Sequence, residues 1–419
     1  MDQGSKNRKA VSAAVVGNVL EWYDFAVYAY VATTIARKFF PGQDETAALL
    51  STFLAYGLGF VARPLGGIII GRFGDTRGRK NALLLTIFLM AAGTVLIGVM
   101  PTYETIGFYA PLLLVLARLM QGFSAGGEWG TSTAFIVEWA PTGKRGLFGS
   151  FQQTSVVGGL LLGSGTAALI NTLLSSGQMD AWGWRVPFLL GGLLGPIGMY
   201  MRRTMEETPA YVAEAKKAPP ADEASGLVLA ARAFGFTIVW TVCFYVLLNY
   251  MPTWTQKYMK LTAAQALWSN TIGLLALLVA IPTMGRLSDR FGRKPLLIAC
   301  CICFVVVPYP VFHYLLSGSA SYGQLVVVQI VFALMISMFS GAGPAAIAEI
   351  FPTRNRSTWM TSGYALSVAI FGGFAPFISV WLIGHFNSPV AHSFYLVAAA
   401  VISTAVIMRL RETAFTDLK

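Results

Sequence analysis

Two stretches of this chain run past fifty residues without a formal charge. Pro295–Ala348 holds no Asp, Glu, Lys or Arg for 54 residues, and Ser357–Met408 none for 52. Soluble domains carry about 25% charged residues, whereas only 12% are charged here and 55% are hydrophobic. A helix that crosses a bilayer takes about 20 apolar residues, so each long stretch holds two helices. They break at Ser317–Gln324 and around Gly384–His392. Asn81–Tyr103, Gly146–Met179, Ala233–Gln256 and Leu261–Gly285 are also uncharged. With Ala10–Arg37, Leu49–Gly71, Ile106–Val137 and Val186–Met201 the count reaches twelve. The expectation is an all-α integral membrane protein of twelve transmembrane helices.

Its halves repeat. Gly71–Lys80, GRFGDTRGRK, returns 214 residues later as Gly285–Lys294, GRLSDRFGRK, with six of ten positions identical. Glu138–Arg145 returns 211 residues later as Glu349–Arg356, sharing Glu, Pro, Thr and Arg. Two pairs in one order and spacing mark a duplicated unit, the pattern of transporters built from two bundles. The predicted organisation is two pseudo-symmetric six-helix bundles, at 10–202 and 228–410, joined by a charged, Ala- and Pro-rich cytoplasmic linker at 203–227. With the N-terminus placed inside, 22 of the 30 Lys and Arg fall in inside segments. That bias predicts both termini in the cytoplasm. It also accounts for the net charge of +11 without nucleic acid, since the charges are divided among short loops.

Ionisable groups inside the spans are lopsided. The C-terminal spans hold none away from their ends, whereas the N-terminal half holds Glu21, Asp24, Arg63, Arg118 and Glu128. Each costs about 2.5–3.5 kcal/mol at a bilayer centre, so each should face the interior and pair. A functional site is one reading, and a buried ion pair that fixes packing is the other. Glu21, Asp24 and Tyr28 share one helix face. Two neighbouring carboxylates make one of them a natural proton carrier. Asp24, Glu21, Arg118 and Glu128 are therefore the candidates for proton coupling, with Asp24 taking a proton when Arg118 is drawn to a substrate carboxylate. Candidates for substrate contact are Arg118, Arg63, Tyr28, Gln152 and Gln153 from the N-terminal half, and Tyr245, Asn249 and Tyr364 from the C-terminal half. The repeated loops supply a candidate conformational gate: Asp75 with Arg79, Asp289 with Arg293, Glu138 with Arg145, and Glu349 with Arg356. Trp254 is expected at the outer interface, and His385 and His392 in solvated loop ends.

Gly-x-x-x-Asp-x-x-Gly-Arg-Lys, at Gly71–Lys80 and again at Gly285–Lys294, resembles the signature of the major facilitator superfamily. Gly17–Phe25 (GNVLEWYDF), Arg63–Gly67 (RPLGG), Gln121–Glu128 (QGFSAGGE) and Trp182–Phe188 (WGWRVPF) look like its metabolite:proton symporter family. The resemblance covers essentially the whole chain. It implies proton-driven uptake across a bacterial cytoplasmic (inner) membrane by a protein that works as a monomer. Family substrates include citrate, 2-oxoglutarate, shikimate and aromatic acids, and proline or betaine. Arg118 resembles the buried arginine that some members link to proton coupling.

Other classes find little support. No Gly-x-x-x-x-Gly-Lys-Ser/Thr is present, so ATP is not the expected driver. The three histidines lack zinc-type spacing, and no catalytic cluster points to an enzyme. No cofactor or metal is expected. The expected partners are the bilayer, protons, and a small organic acid or zwitterion. Two arginines suit a di- or tricarboxylate such as citrate or 2-oxoglutarate, which is the leading expectation. Proline or betaine is the alternative, because the first span is aromatic, and a proton-linked exporter is a lesser one.

Overall fold

A computed structural model describes residues 18–42, 44–77, 79–126, 128–138, 140–141, 143–203, 223–318, 320–351 and 356–416. Every regular element among them is helical. In chain order they are α1 (18–30), α2 (Ala32–Phe39), α3 (Glu45–Arg77), α4 (Arg79–Val99), α5 (Tyr109–Ser124), α6 (Glu128–Glu138), α7 (Arg145–Leu173) and α8 (Val186–Arg203). Then come α9 (Glu223–Phe244), α10 (Ala263–Phe291), α11 (Arg293–Val306), α12 (Pro308–Leu315), α13 (Tyr322–Ile350), α14 (Arg356–Ser367), α15 (Ala375–Phe386) and α16 (His392–Arg409). Single-turn helices occupy Tyr103–Ile106 and Ser176–Ala181, and a π turn at Tyr245–Tyr250 joins α9 to a further helix, Met251–Tyr258. A second π turn, Val368–Gly372, follows α14.

Helix boundaries follow local chemistry. Thr262 starts α10 with a capping box, its hydroxyl accepting from the Gln265 amide while the Gln265 side chain accepts from the Thr262 amide. Ser321 and Gln324 do the same for α13. Each box satisfies two donors that a helix start otherwise leaves orphaned. At the far end of α15, Asn387 takes a left-handed conformation, φ 49°, which turns the chain out of the helix.

Seven helices among the described residues are long and apolar enough to cross a bilayer, from Glu45–Ile70 to His392–Arg409. α11 and α12, bent by 44°, make an eighth if counted as one span. The twelve expected spans are therefore not all met. The segment expected at Ala10–Arg37 is described only from residue 18 and breaks at Val31. Leu84–Val99 and Tyr109–Ser124 are apolar but short. The fourth expected span divides into α5 and α6 beyond Ala125. Residues 204–222, most of the expected linker, lie outside the described residues.

Small residues bring the helices together, as membrane packing requires. A Cβ on Gly122 of α5 would collide with the Gly59 carbonyl of α3. That contact sets α3 against α5, which carry Arg63 and Arg118. Apolar side chains such as Phe88, Val99, Leu193 and Val279 remain exposed on the outer surface, where lipid takes the place of a protein partner.

Candidate functional site

Three of the ionisable groups expected inside the molecule are buried, and Glu21 is partly exposed. Arg118 is fully buried, and Asp24 and Arg63 are 5% and 7% exposed. Arg118 lies beside three aromatic rings, its guanidinium carbon 4.5 Å from the Tyr28 ring centre, 4.9 Å from Tyr56 and 5.0 Å from Phe25. Rings in this position stabilise a cation by their quadrupole. One guanidinium nitrogen donates to Gln121 Oε1 at 2.8 Å, and Gln121 in turn donates to Thr94 Oγ1 at 2.8 Å. Thr94 and Gly191 pack around Asp24. Asp24 and Arg118 form no direct ion pair. A chain of neutral side chains links the arginine to the neighbourhood of the carboxylate. Arg118 Nε and Nη2 and Asp24 Oδ1 are buried without hydrogen-bond partners.

Arg63 occupies a second aromatic cluster. Its guanidinium carbon lies 4.4 Å from the Phe60 ring centre, 4.6 Å from Phe25 and 5.6 Å from Trp22. Phe25 thus stands between the two arginines. Phe60 also meets Tyr245 at 5.3 Å between ring centres, which carries the cluster into the C-terminal half. Tyr364 stacks on Trp129 at 3.6 Å, and Trp129 meets Trp240 at 5.8 Å. Gln152, Gln153, Tyr245 and Asn249 are buried and keep side-chain polar atoms without partners, as does Arg63 at Nε and Nη2. Tyr28 differs: its hydroxyl donates to the Thr52 carbonyl, so its ring serves Arg118 while its polar tip is engaged. Tyr245 and Asn249 sit in the π turn, a local widening of the helix found often at functional positions.

At the end bearing the repeated basic loops, the two halves are latched by charge. Asp289 of α10 accepts from the Gly146 and Leu147 amides, at 2.7 and 2.9 Å. These are orphan donors at the start of α7, where partial positive charge favours a carboxylate. Arg293 pairs with Asp289 at 2.8 Å and with Glu349 at 3.1 Å. Arg145 reaches across to Glu349 at 3.7 Å. The chain's own end joins in: Thr413 donates to Glu349, and Arg145 donates to the Thr416 carbonyl. Glu412 accepts from the Arg293 and Lys294 amides, capping α11. Burial favours protonating Glu412, but its backbone N–H donors outweigh that and hold its pKa below the ordinary value. A Cβ on Gly146 would come within 2.5 Å of the Gly285 carbonyl, so this crossing admits no side chain.

Nearer the middle of α3 the halves meet ring against glycine. Phe374 packs on Gly57, and Gly373 on Phe60. Lys257 approaches Glu45 at 3.9 Å, but Glu45 is 73% exposed, so that pair is worth little.

Several expectations need correction. Arg145 pairs across the halves with Glu349, a contact that was not among those expected. Trp254 is fully buried within the protein and donates to the Pro389 carbonyl in the turn between α15 and α16. His392 is 1% exposed and packs edge-on to Phe312, whereas His385 is exposed. The side chains of Asp75, Arg79, Glu128 and Arg356 lie outside the described residues. Tyr56, Phe60, Trp129, Gln121, Thr94 and Glu412 were not anticipated. Gln121 lies one turn from Arg118, and that spacing is the one signal that was available.

This is a multi-pass membrane protein with two buried arginines in an aromatic region that spans its two halves, and a buried carboxylate inside the N-terminal half beside it. A family profile described as "Sugar (and other) transporter" matches residues 9–227, and one described as "Major Facilitator Superfamily" matches 257–417. The chain belongs to the major facilitator superfamily. It is 34% identical to the glycine betaine/proline/ectoine/pipecolic acid transporter of Dickeya dadantii, over 98% of this chain and 85% of that one. It is 33% identical to the proline/betaine transporter of Escherichia coli K12 (100% and 86%). It is 34% identical to the citrate-proton symporter of Klebsiella pneumoniae (94% and 89%). Its fold matches a crystal structure of a D-xylose-proton symporter with TM-score 0.77 at 19% identity, over 97% and 98% of the two chains.

Proposed function

We propose that this protein is a proton-coupled importer of a small zwitterion of the proline or betaine class. The carrying observation is charge balance at the centre. Arg63 and Arg118 share the Phe25 ring, and the buried Asp24 carboxylate lies near the far end of the Arg118–Gln121–Thr94 chain, so a buried carboxylate already offsets part of the arginines' charge. A net-neutral solute matches it. Its carboxylate suits an arginine fork, and its ammonium suits the faces of Tyr245, Tyr364 and Trp129. A tricarboxylate would bring three negative charges to two arginines, one of which is already linked through Gln121 and Thr94 to the surroundings of Asp24. The relatives named for proline and betaine support the same reading. The leading expectation of a di- or tricarboxylate is the weaker one, supported by the citrate-proton relative alone among those compared above.

In this reading the chain forms twelve spans in two six-helix bundles, at 10–202 and 228–410, which rock around the central region. The basic-loop end faces the cytoplasm of a bacterial cell. Asp24 carries the proton, and Arg118 reports solute binding to it through Gln121 and Thr94. Purified protein in liposomes tests the function. Under an inward proton gradient, labelled glycine betaine or proline should accumulate, and tenfold excess citrate should not compete. Accumulation of citrate without competition by either zwitterion would overturn the assignment.

A further inference from the structure

A small cavity lies within the N-terminal half, apart from the aromatic region where the halves meet. It measures about 40 Å³ and is bounded by Asp24 and Glu21 of α1, Thr86 and Ala91 of α4, Ser124 of α5 and Gly191 of α8. Solute pockets run to about 300–1,000 Å³, so no amino acid or organic acid fits. A buried water needs about 10–15 Å³ by this kind of measure, with two to four polar partners. The space therefore admits water-sized species. Its polar lining is two carboxylates and two hydroxyls, with no cationic side chain, which selects a cation over an anion. Asp24 is 95% buried and forms part of the wall, and its Oδ1 has no hydrogen-bond partner.

Position gives the cavity its meaning. Thr86 lies two turns from the start of α4, and Ser124 is the last residue of α5, so the walls lean towards the basic-loop end. No residue of the ionic latch lines it. The latch closes the seam between the halves, whereas this crevice runs inside one half. The charged and titratable groups about Asp24 are Glu21 and Tyr23 on its own helix and Arg118 from α5. α4 presents Thr86 and Thr94, and α8 presents glycine.

We propose that this crevice is a dedicated port through which Asp24 exchanges its proton as hydronium, separate from the path of the solute. The port rests on the proton-coupled reading above and adds a route to it. A proton can then leave Asp24 towards the basic-loop end without the seam opening.

The test uses the full chain in liposomes, with Cys303→Ala as background because Cys243, Cys300 and Cys301 are buried. Thr86→Cys is introduced and modified after folding with a small methanethiosulfonate, and mass spectrometry follows the labelling. Glycine betaine is measured in two ways: accumulation driven by a proton gradient, and counterflow without one. Modification should slow driven accumulation at least tenfold and leave counterflow within twofold. In an Asp24→Asn background the same modification should leave counterflow unchanged. Failure to label, no effect on accumulation, or equal loss of accumulation and counterflow each overturns the port. Accumulation driven by a sodium gradient and blocked by the same modification makes the cavity a sodium site and also overturns it. If the unmodified protein accumulates no solute with protons, the transport reading itself has failed. If the unmodified protein accumulates normally and modification changes nothing, only the port has failed.

Discussion

Asp289→Asn should open the basic-loop end. The Asp289 carboxylate holds two amides at the start of α7, at 2.7 and 2.9 Å, and Arg293 at 2.8 Å. Only the amide bonds cross between the halves. Asparagine has nearly the same volume but offers one acceptor in place of two, and no charge. One crossing hydrogen bond is lost and the other becomes neutral. A hydrogen bond to a charged group contributes about 1.5–3 kcal/mol and a neutral one about 1. The loss is therefore about 2–5 kcal/mol, which favours the open end by roughly 30- to 5,000-fold at 1.36 kcal/mol per factor of ten. The assay is alkylation of Gln153→Cys by a membrane-impermeant maleimide added at the basic-loop side, in the Cys303→Ala background. The rate should rise at least tenfold with Asp289→Asn and fall back when solute is absent and Asp289 is restored. An unchanged rate would mean that the latch does not hold the two halves, and the reasoning from its geometry would be wrong.

Asp24→Asn should abolish proton-driven accumulation while counterflow of solute persists; accumulation that survives in a liposome assay would remove Asp24 from the coupling role. Arg63→Lys keeps the charge but loses the planar fork and its fit between Phe25 and Phe60, and should weaken solute affinity at least tenfold by calorimetry. Glu412 supplies a pH effect with a definite sign. Its folded pKa lies below the ordinary value of 4.5, so its stabilising contribution is complete above that value. The contribution is lost as pH falls through the lowered folded value. Glu412→Gln should therefore lower the melting temperature at neutral pH and narrow its gap from the parent chain as the medium is acidified below about 4.5. A gap that stays unchanged as the pH is taken well below that value would refute the capping role. Gly122→Ala should fail to yield stable protein in detergent, because its methyl group has no room against the Gly59 carbonyl.

Much of this was legible in the sequence. Uncharged runs locate helices because backbone polar groups in lipid must be satisfied within the helix. A charge in such a run stands out, so Asp24, Arg63 and Arg118 could be singled out. Their surroundings could not. Tyr56 and Phe60 lie in an apolar run with no polar face to show which side turns inward, so the aromatic boxes were invisible. Local spacing paired Glu138 with Arg145, seven residues on, but the fold brings Glu349 from the other half to that arginine. Trp254 and His392 illustrate the same limit. Residues near the end of a span look alike whether they meet headgroups or a neighbouring helix, and only packing separates the two.

The halves meet by unlike means: charge at the basic-loop end, ring against glycine at mid-span. Separated charges are stabilised by mobile counterions, whereas bare rings gain nothing comparable. Concentrated electrolyte at the basic-loop end should thus favour the sprung form of that latch and leave the ring contacts as they are.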